Sequence, residues 1–273
     1  MRLKIEHLTT FHYDAIVTEA YTELRLKPTN NSLQRCLAFD LTTDPSVTAF
    51  HFHDRFGNDV RHFDIVQAHQ LLNVVATSDV ITPEKYVEPI AEIAPLDAFD
   101  FVSQTGYVPH TEVLGQFARA HEVKGDVQAT AMALMTGTHK VIKYTPGATD
   151  VSTTAAVALE LGKGVCQDFA HVMLAACRIL GISARYVSGY LYVDSKHHDP
   201  NDPPPDLATH AWVDVFVPGL GWLALDPTHN YPQSERHVRV GIGRDYADVP
   251  PTRGTYRGQG REKLGVKVRI TEL

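Results

Sequence analysis

Cysteine is scarce in this chain: three in 273 residues, at positions 36, 166 and 177. None stands at a spacing that suits a disulfide framework, so a small stapled secreted scaffold is excluded and a reducing compartment is expected. Cys166 and Cys177 are separated by roughly 16 Å of helix rise, too far to be bridged. Positive charge is also short, with 25 Lys and Arg against 32 Asp and Glu and a formal net charge of −7. A general nucleic-acid binder needs a basic face, and that class is excluded. No apolar run approaches the ~20 residues of a membrane span, and there is no internal repeat or low-complexity tract. The opening stretch, residues 1–7, is charged and alternating, which reads as a strand rather than a secretory leader; a cytoplasmic protein is expected. With 44% apolar residues over this length, two domains with real cores are the natural reading.

What the chain does hold is a thiol in a distinctive setting. Gly162, Lys163 and Gly164 form a breaking stretch, and a long helical pattern starts directly after it. No Pro or Gly interrupts residues 165–180, and Gly181 stands where a helix C-cap is expected. Phe169, Val172, Met173, Leu174, Ala176, Ile179 and Leu180 make the segment apolar nearly all round, which predicts a buried helix. Cys166 then lies in its first turn. Unpaired N–H groups and the helix dipole favour a thiolate there, and the same N–H groups can receive an oxyanion. Cys177, deep in the helix beside Ala175 and Ala176, reads as a small buried hydrophobe.

A thiol nucleophile needs a base, and the base needs an orienting group. His210 opens the run His210-Ala211-Trp212-Val213-Asp214-Val215, which alternates like a half-buried strand. Pro218, Gly219, Leu220 and Gly221 read as a hairpin connection, and the returning strand from Trp222 to Asp226 is stopped by Pro227. A turn centred near Gly219 makes His210 and Asp226 cross-strand neighbours. Asp214 shares a strand face with His210 but stands ~13 Å along extended chain, so Asp226 is preferred.

These segments resemble the transglutaminase-like superfamily of papain-like cysteine enzymes, and in particular its bacterial members. The resemblance is carried by Tyr144-Thr145-Pro146, Gly164-Val165-Cys166-Gln167-Asp168-Phe169-Ala170-His171, residues 184–190, His210-Ala211-Trp212, Gly221-Trp222 and Asp226-Pro227-Thr228, with residues 243–251 behind them. It implies Cys166 as nucleophile, His210 as general base and acid, and Asp226 as the group fixing the imidazole's tautomer. It implies an α+β protein: a papain-like core with the Cys-bearing helix packed on an antiparallel sheet, preceded by an all-β, sandwich-like domain. The expected division is residues 1–95 and 96–273, the second with a C-terminal strand extension. The expected activity is acyl transfer on an amide through a thioester, resolved by water on a peptide or isopeptide bond. The alternatives are transamidation to an amine acceptor, as in a protein-glutamine gamma-glutamyltransferase, and a binding module that keeps the fold without turnover. The partner is then a peptide or protein substrate, without nucleic acid or membrane, and no cofactor or metal is expected.

The remaining assignments are open at this level. Tyr144, Gln167, Tyr190, Trp212 and Trp222 are candidates for a second oxyanion donor or for walls of the substrate groove. His171 reads as core packing or as a hydrogen-bond support, and Asp168 as a cap or a neighbour of the site. His229 follows Asp-Pro-Thr where relatives often carry Asn, which bears on local capping. His51, His53 and His62 form a conceivable metal cluster, as do His197, His198 and Asp199, but no recognised zinc spacing completes either. Segment 196–206, rich in Pro and Asp, reads as a solvent loop or as a rim over the cleft. Strand-like segments fall at 3–13, 23–26, 35–42, 49–53, 60–66 and 71–80, and helical patterns at 97–101, 113–123 and 127–141.

Overall fold

The structure, a computed structural model, describes residues 1–84, 87–193 and 209–273. Strands β1 (Arg2–Leu24), β2 (Arg35–Asp44), β3 (Phe50–His53), β4 (Asp59–Ile65) and β5 (His69–Ile81) form the N-terminal region. There follow β6 (Val87–Glu88), α1 (Pro95–Val102), α2 (Glu112–Ala120), α3 (Val127–Val141), β7 (Lys143–Tyr144), α4 (Ala155–Leu161), β8 (Lys163–Gly164) and α5 (Cys166–Ile179). The chain then runs through β9 (Ala184–Leu191), β10 (Thr209–Val217), β11 (Gly221–Asp226), β12 (Tyr231–Pro232), β13 (His237–Gly243), β14 (Thr252–Gly258) and β15 (Glu262–Glu272). No helix among the described residues is long and apolar enough to cross a membrane.

The N-terminal region is one seven-stranded antiparallel sheet in the order β2-β5-β1-β4-β3, with β14 and β15 also on β1. Alternate residues of β1 point inward, as its sequence period of two dictates. Its first half pairs with β5 and β15, its second half with β4 and β14. Phe11 and Tyr13 from the first half share one apolar cluster with Leu24 from the second and Phe63 of β4, so the sheet curls around its own core. Two findings refine the expected layout. The segments expected at 3–13 and 23–26 fall on a single strand that ends at Leu24, because an irregularity near Val17 lets the ladder continue. Strands distant in sequence also join each sheet: β14 and β15 complete the N-terminal sheet, while β6 joins the second one.

That second sheet has the order β12-β11-β10-β9-β13, with β6 on β11. Helix α5 lies across it. Phe169, Val172 and Met173 of the helix share a core with Ala211, Val213 and Val215 of β10, and with residues of α2, α3 and α4. This is the expected Cys-bearing helix on an antiparallel sheet. β10 departs from the half-buried expectation in being buried on both faces. Its polar positions are covered because His210 and Asp214 each find charged or ring partners. Between the two sheets, His7, Leu3 and Ile5 of β1 meet Tyr190 and Val238.

Candidate active site

The start of α5 is held by a carboxylate that folds back on it. Asp168 Oδ2 accepts from the Val165 N–H at 2.7 Å and from the Thr149 hydroxyl at 2.6 Å. This needs Gly164: a Cβ there would come within 2.5 Å of Asp168 Oδ2. Asp168 is buried, which pushes its carboxyl above the usual range against those two bonds. The parallel pair β7–β8 sets Tyr144 beside Gly164, two residues before the thiol. Cys166 is thereby fixed in the first turn of the helix, half-buried, where the N–H groups have no intrahelical acceptor.

His210 begins β10 and Asp226 ends β11, as the hairpin predicts. The pairs Val213–Leu225 and Asp214–Ala224 put the imidazole and the carboxylate on one face of neighbouring strands. His210 Nε2 lies 2.7 Å from Asp226 Oδ2, and both residues are buried. The Cys166 thiol faces the same imidazole and favours its charged form. Nε2 being taken by Asp226, Nδ1 is the nitrogen left to meet the sulfur. Burial opposes charge on His210, but the Asp226 carboxylate and the thiol outweigh it and raise the imidazole to about 10. Burial likewise opposes charge on Asp226, yet His210 and the hydrogen bonds it accepts hold it well below the usual carboxylate range. Cys166, His210 and Asp226 therefore converge.

Two further residues meet at this centre: His229, expected only to bear on local capping, and His237, which the sequence did not single out. His229 Nδ1 lies 2.8 Å from Asp226 Oδ2, and His237 Nε2 lies 3.1 Å from it. The other carboxylate oxygen accepts from the backbone N–H groups of Thr228 and His229 at 2.9 and 3.3 Å. The i,i+3 step from Asp226 to His229 was a usable signal; His237, eleven residues on in another strand, left none. His210, Asp226 and His229 put one donor atom each within 4.8 Å. The nitrogen–oxygen distances of 2.7–3.1 Å are hydrogen-bond lengths. Two ligands on a tetrahedral zinc would stand ~3.3 Å apart, so a metal would have to open the cluster.

The other candidates divide. Gln167 is near the thiol, but its amide donates to the Val151 carbonyl at 3.3 Å. Trp212 is fully buried and stacks on His210 at 6.1 Å, so it supports the imidazole and cannot wall an open groove. Two candidates are corrected outright. Tyr190 is turned into the contact with the N-terminal sheet, its hydroxyl 2.9 Å from His7 Nδ1. Trp222 begins β11 at the far end of the hairpin, packed on Phe101 and Phe216 with Arg185 above its ring. Asp214 is committed to Arg185 and Arg239 at 2.8 and 2.7 Å, which leaves the carboxylate at His210 to Asp226.

His171 is buried between Tyr107 and Tyr186 and accepts from the Tyr246 N–H, a packing role as expected. His51 and His53 lie exposed on β3, and His62 pairs with Asp64 instead of completing a cluster. His197, His198 and the 196–206 segment lie outside the described residues.

The Transglutaminase-like superfamily profile matches residues 116–227, which hold all three converging side chains, and the Bacterial transglutaminase-like N-terminal region matches residues 3–81. An uncharacterised protein of Mycobacterium leprae (strain TN) is 34% identical over 100% of this chain and 99% of its own length. The chain belongs to the transglutaminase-like superfamily. A candidate cysteine protease from Cytophaga hutchinsonii shares the fold of this transglutaminase-like protein, with a TM-score of 0.79 at 21% identity over 100% of this chain and 91% of that one. A protein-glutamine gamma-glutamyltransferase of Pseudomonas aeruginosa is 30% identical over 44% of this chain and 19% of its own.

Proposed function

We propose that this transglutaminase-like protein is a cysteine enzyme that hydrolyses a peptide or isopeptide bond through a thioester, with Cys166, His210 and Asp226 as its working groups. One observation carries the reading: a single imidazole, 2.7 Å from a buried carboxylate, also faces a half-buried thiol that favours its charged form. The thiol proton passes to His210, and Asp226 holds the imidazolium that results. The sulfur then attacks the amide carbon, and the carbonyl electron pair moves to oxygen. That oxyanion is received by the Cys166 N–H at the helix start and one further donor. When the tetrahedral species collapses, the C–N bond breaks and His210 gives its proton to the leaving amine. Water, deprotonated by His210, attacks the thioester, and the C–S bond breaks to return the thiolate. A reducing, cytoplasmic setting suits the three unpaired thiols.

Transamidation is the second reading, favoured by the likeness of the core to the gamma-glutamyltransferase. It differs only in the last step, with an amine replacing water. Mass analysis of products from a peptide library, with and without a primary amine, separates the two. Iodoacetamide labelling at ~pH 6, well below an ordinary thiol's range, tests the site itself. Selective labelling of Cys166 is expected. Labelling there no faster than at Cys36 would leave only a binding module with this fold.

A further inference from the structure

An ionised carboxylate can only accept hydrogen bonds. Asp226 Oδ2 meets three imidazole nitrogens, His210 Nε2, His229 Nδ1 and His237 Nε2, at 2.7, 2.8 and 3.1 Å. Each must therefore carry its hydrogen on the nitrogen that faces the carboxylate. For His237 the other nitrogen is fixed as well: Nδ1 accepts from the Ser234 backbone N–H at 3.2 Å, and a backbone N–H cannot accept. His237 is thus the neutral Nε2–H tautomer, and its complete burial acts in the same direction. His210 alone of the three faces a thiol, so it alone exchanges a proton with the nucleophile.

We propose that His237, together with His229, is a positioning residue for the reaction: two imidazoles that share the Asp226 charge with His210 and so set how tightly His210 keeps its proton. This rests on the reading of Cys166 and His210 given above. In a buried, weakly polarisable site each donor draws off part of the anion's charge. With one donor gone, Asp226 concentrates its charge on His210, and the imidazolium becomes a poorer acid toward the leaving amine. The titratable groups facing this centre among the described residues are Cys166 from α5, His210 from β10, His229 after β11, Tyr231 from β12 and His237 from β13. His139 of α3 stands one step out, its Nδ1 3.0 Å from the Thr228 carbonyl. Asp214, next along the His210 face of β10, is neutralised by Arg185 and Arg239.

Nitrogen-15 NMR of the histidine rings tests this on the full chain, comparing wild type with His237→Gln, which keeps a donor near Nε2, and His237→Leu, which removes it. The His210 titration is expected to move upward by about half a unit or more in His237→Leu and to stay in place in His237→Gln. Wild-type His237 should show the neutral Nε2–H signature across the neutral range. If His237→Leu does not fold, His229→Asn against His229→Leu makes the same comparison from the Nδ1 side. An unmoved His210 in the Leu variants, a downward shift, or equal shifts in the amide and Leu variants overturns the proposal. Iodoacetamide labelling of the wild type keeps the two ideas apart. Ordinary thiol behaviour at Cys166 sinks the proposed function, whereas labelling at low pH with an unmoved His210 sinks only the role of His237.

Discussion

The two ends of α5 carry the same residue type and opposite chemistry. At the N-terminal end Cys166 is half-buried and faces an imidazole, with the positive end of the helix dipole behind it. At the other end Cys177 is buried among apolar side chains, and burial pushes its thiol up to about 12. Beside it the buried Arg178 guanidinium donates to the carbonyls of Phe101, Ser103, Ala184 and Arg244. A cation at a helix C-terminus and a thiolate at its N-terminus are both favoured by the dipole. One end is arranged to react and the other to hold α1, β9 and the 243–248 turn together. Composition does not separate the two thiols; their surroundings do.

The sharpest way to break this contrast is Cys166→Ala. Turnover should fall by about 10^5-fold or more, while the melting temperature stays near that of the wild type. Asp226→Asn keeps the side chain's shape but removes the charge that holds the imidazolium; a loss of about 10^3 to 10^4 in kcat is expected, measured beside the melting curve. Arg178→Met acts at the opposite end. Four carbonyls lose their donor, and denaturant unfolding should show a loss of about 3 kcal/mol, with the rate per folded molecule unchanged. Cys177→Ala should cost about 1–2 kcal/mol through the small void it leaves and leave turnover untouched. A comparable loss of turnover in Cys177→Ala would erase the distinction between the two ends.

The contrast also extends to pH dependence. The folded-state thiol of Cys177 is raised, so its contribution is complete below the ordinary thiol value of ~8.5. It is lost as pH climbs from there toward about 12. His210 acts in the same direction, losing its contribution between ~6.5 and about 10. His171 and His7 are lowered by burial, to about 3 and about 4. Their contribution is present above ~6.5 and is lost as pH falls toward those values. Denaturant midpoints across pH should therefore peak near neutrality and decline on both sides; a profile still rising at pH 9 would contradict this.

How much of this was readable depended on the distance along the chain. Cys166 in a first turn and the His210–Asp226 hairpin rest on spacing within one or two elements, and helix 127–141 follows from local period alone. The alternation of β10 was visible, but its burial on both faces was not, because it depends on Arg239 and His237 arriving from β13. α4 escaped because seven residues give too little periodicity. Tyr190 and Trp222 were placed near the site by their sequence neighbours, yet tertiary partners, His7 for one and Arg185 for the other, decide where they point.

The strand that opens the chain is flanked by the strand that closes it, from Leu3 beside Glu272 to Tyr13 beside Glu262, and the Leu273 N–H reaches the Arg2 carbonyl at 2.9 Å. The N-terminal sheet consequently waits for β15, far along the sequence, before that edge of β1 is sealed. Everything between, the reactive half included, is synthesised while Leu3 and Ile5 still lack their β15 neighbours, which makes folding of this molecule wait on long-range pairing rather than march from front to back.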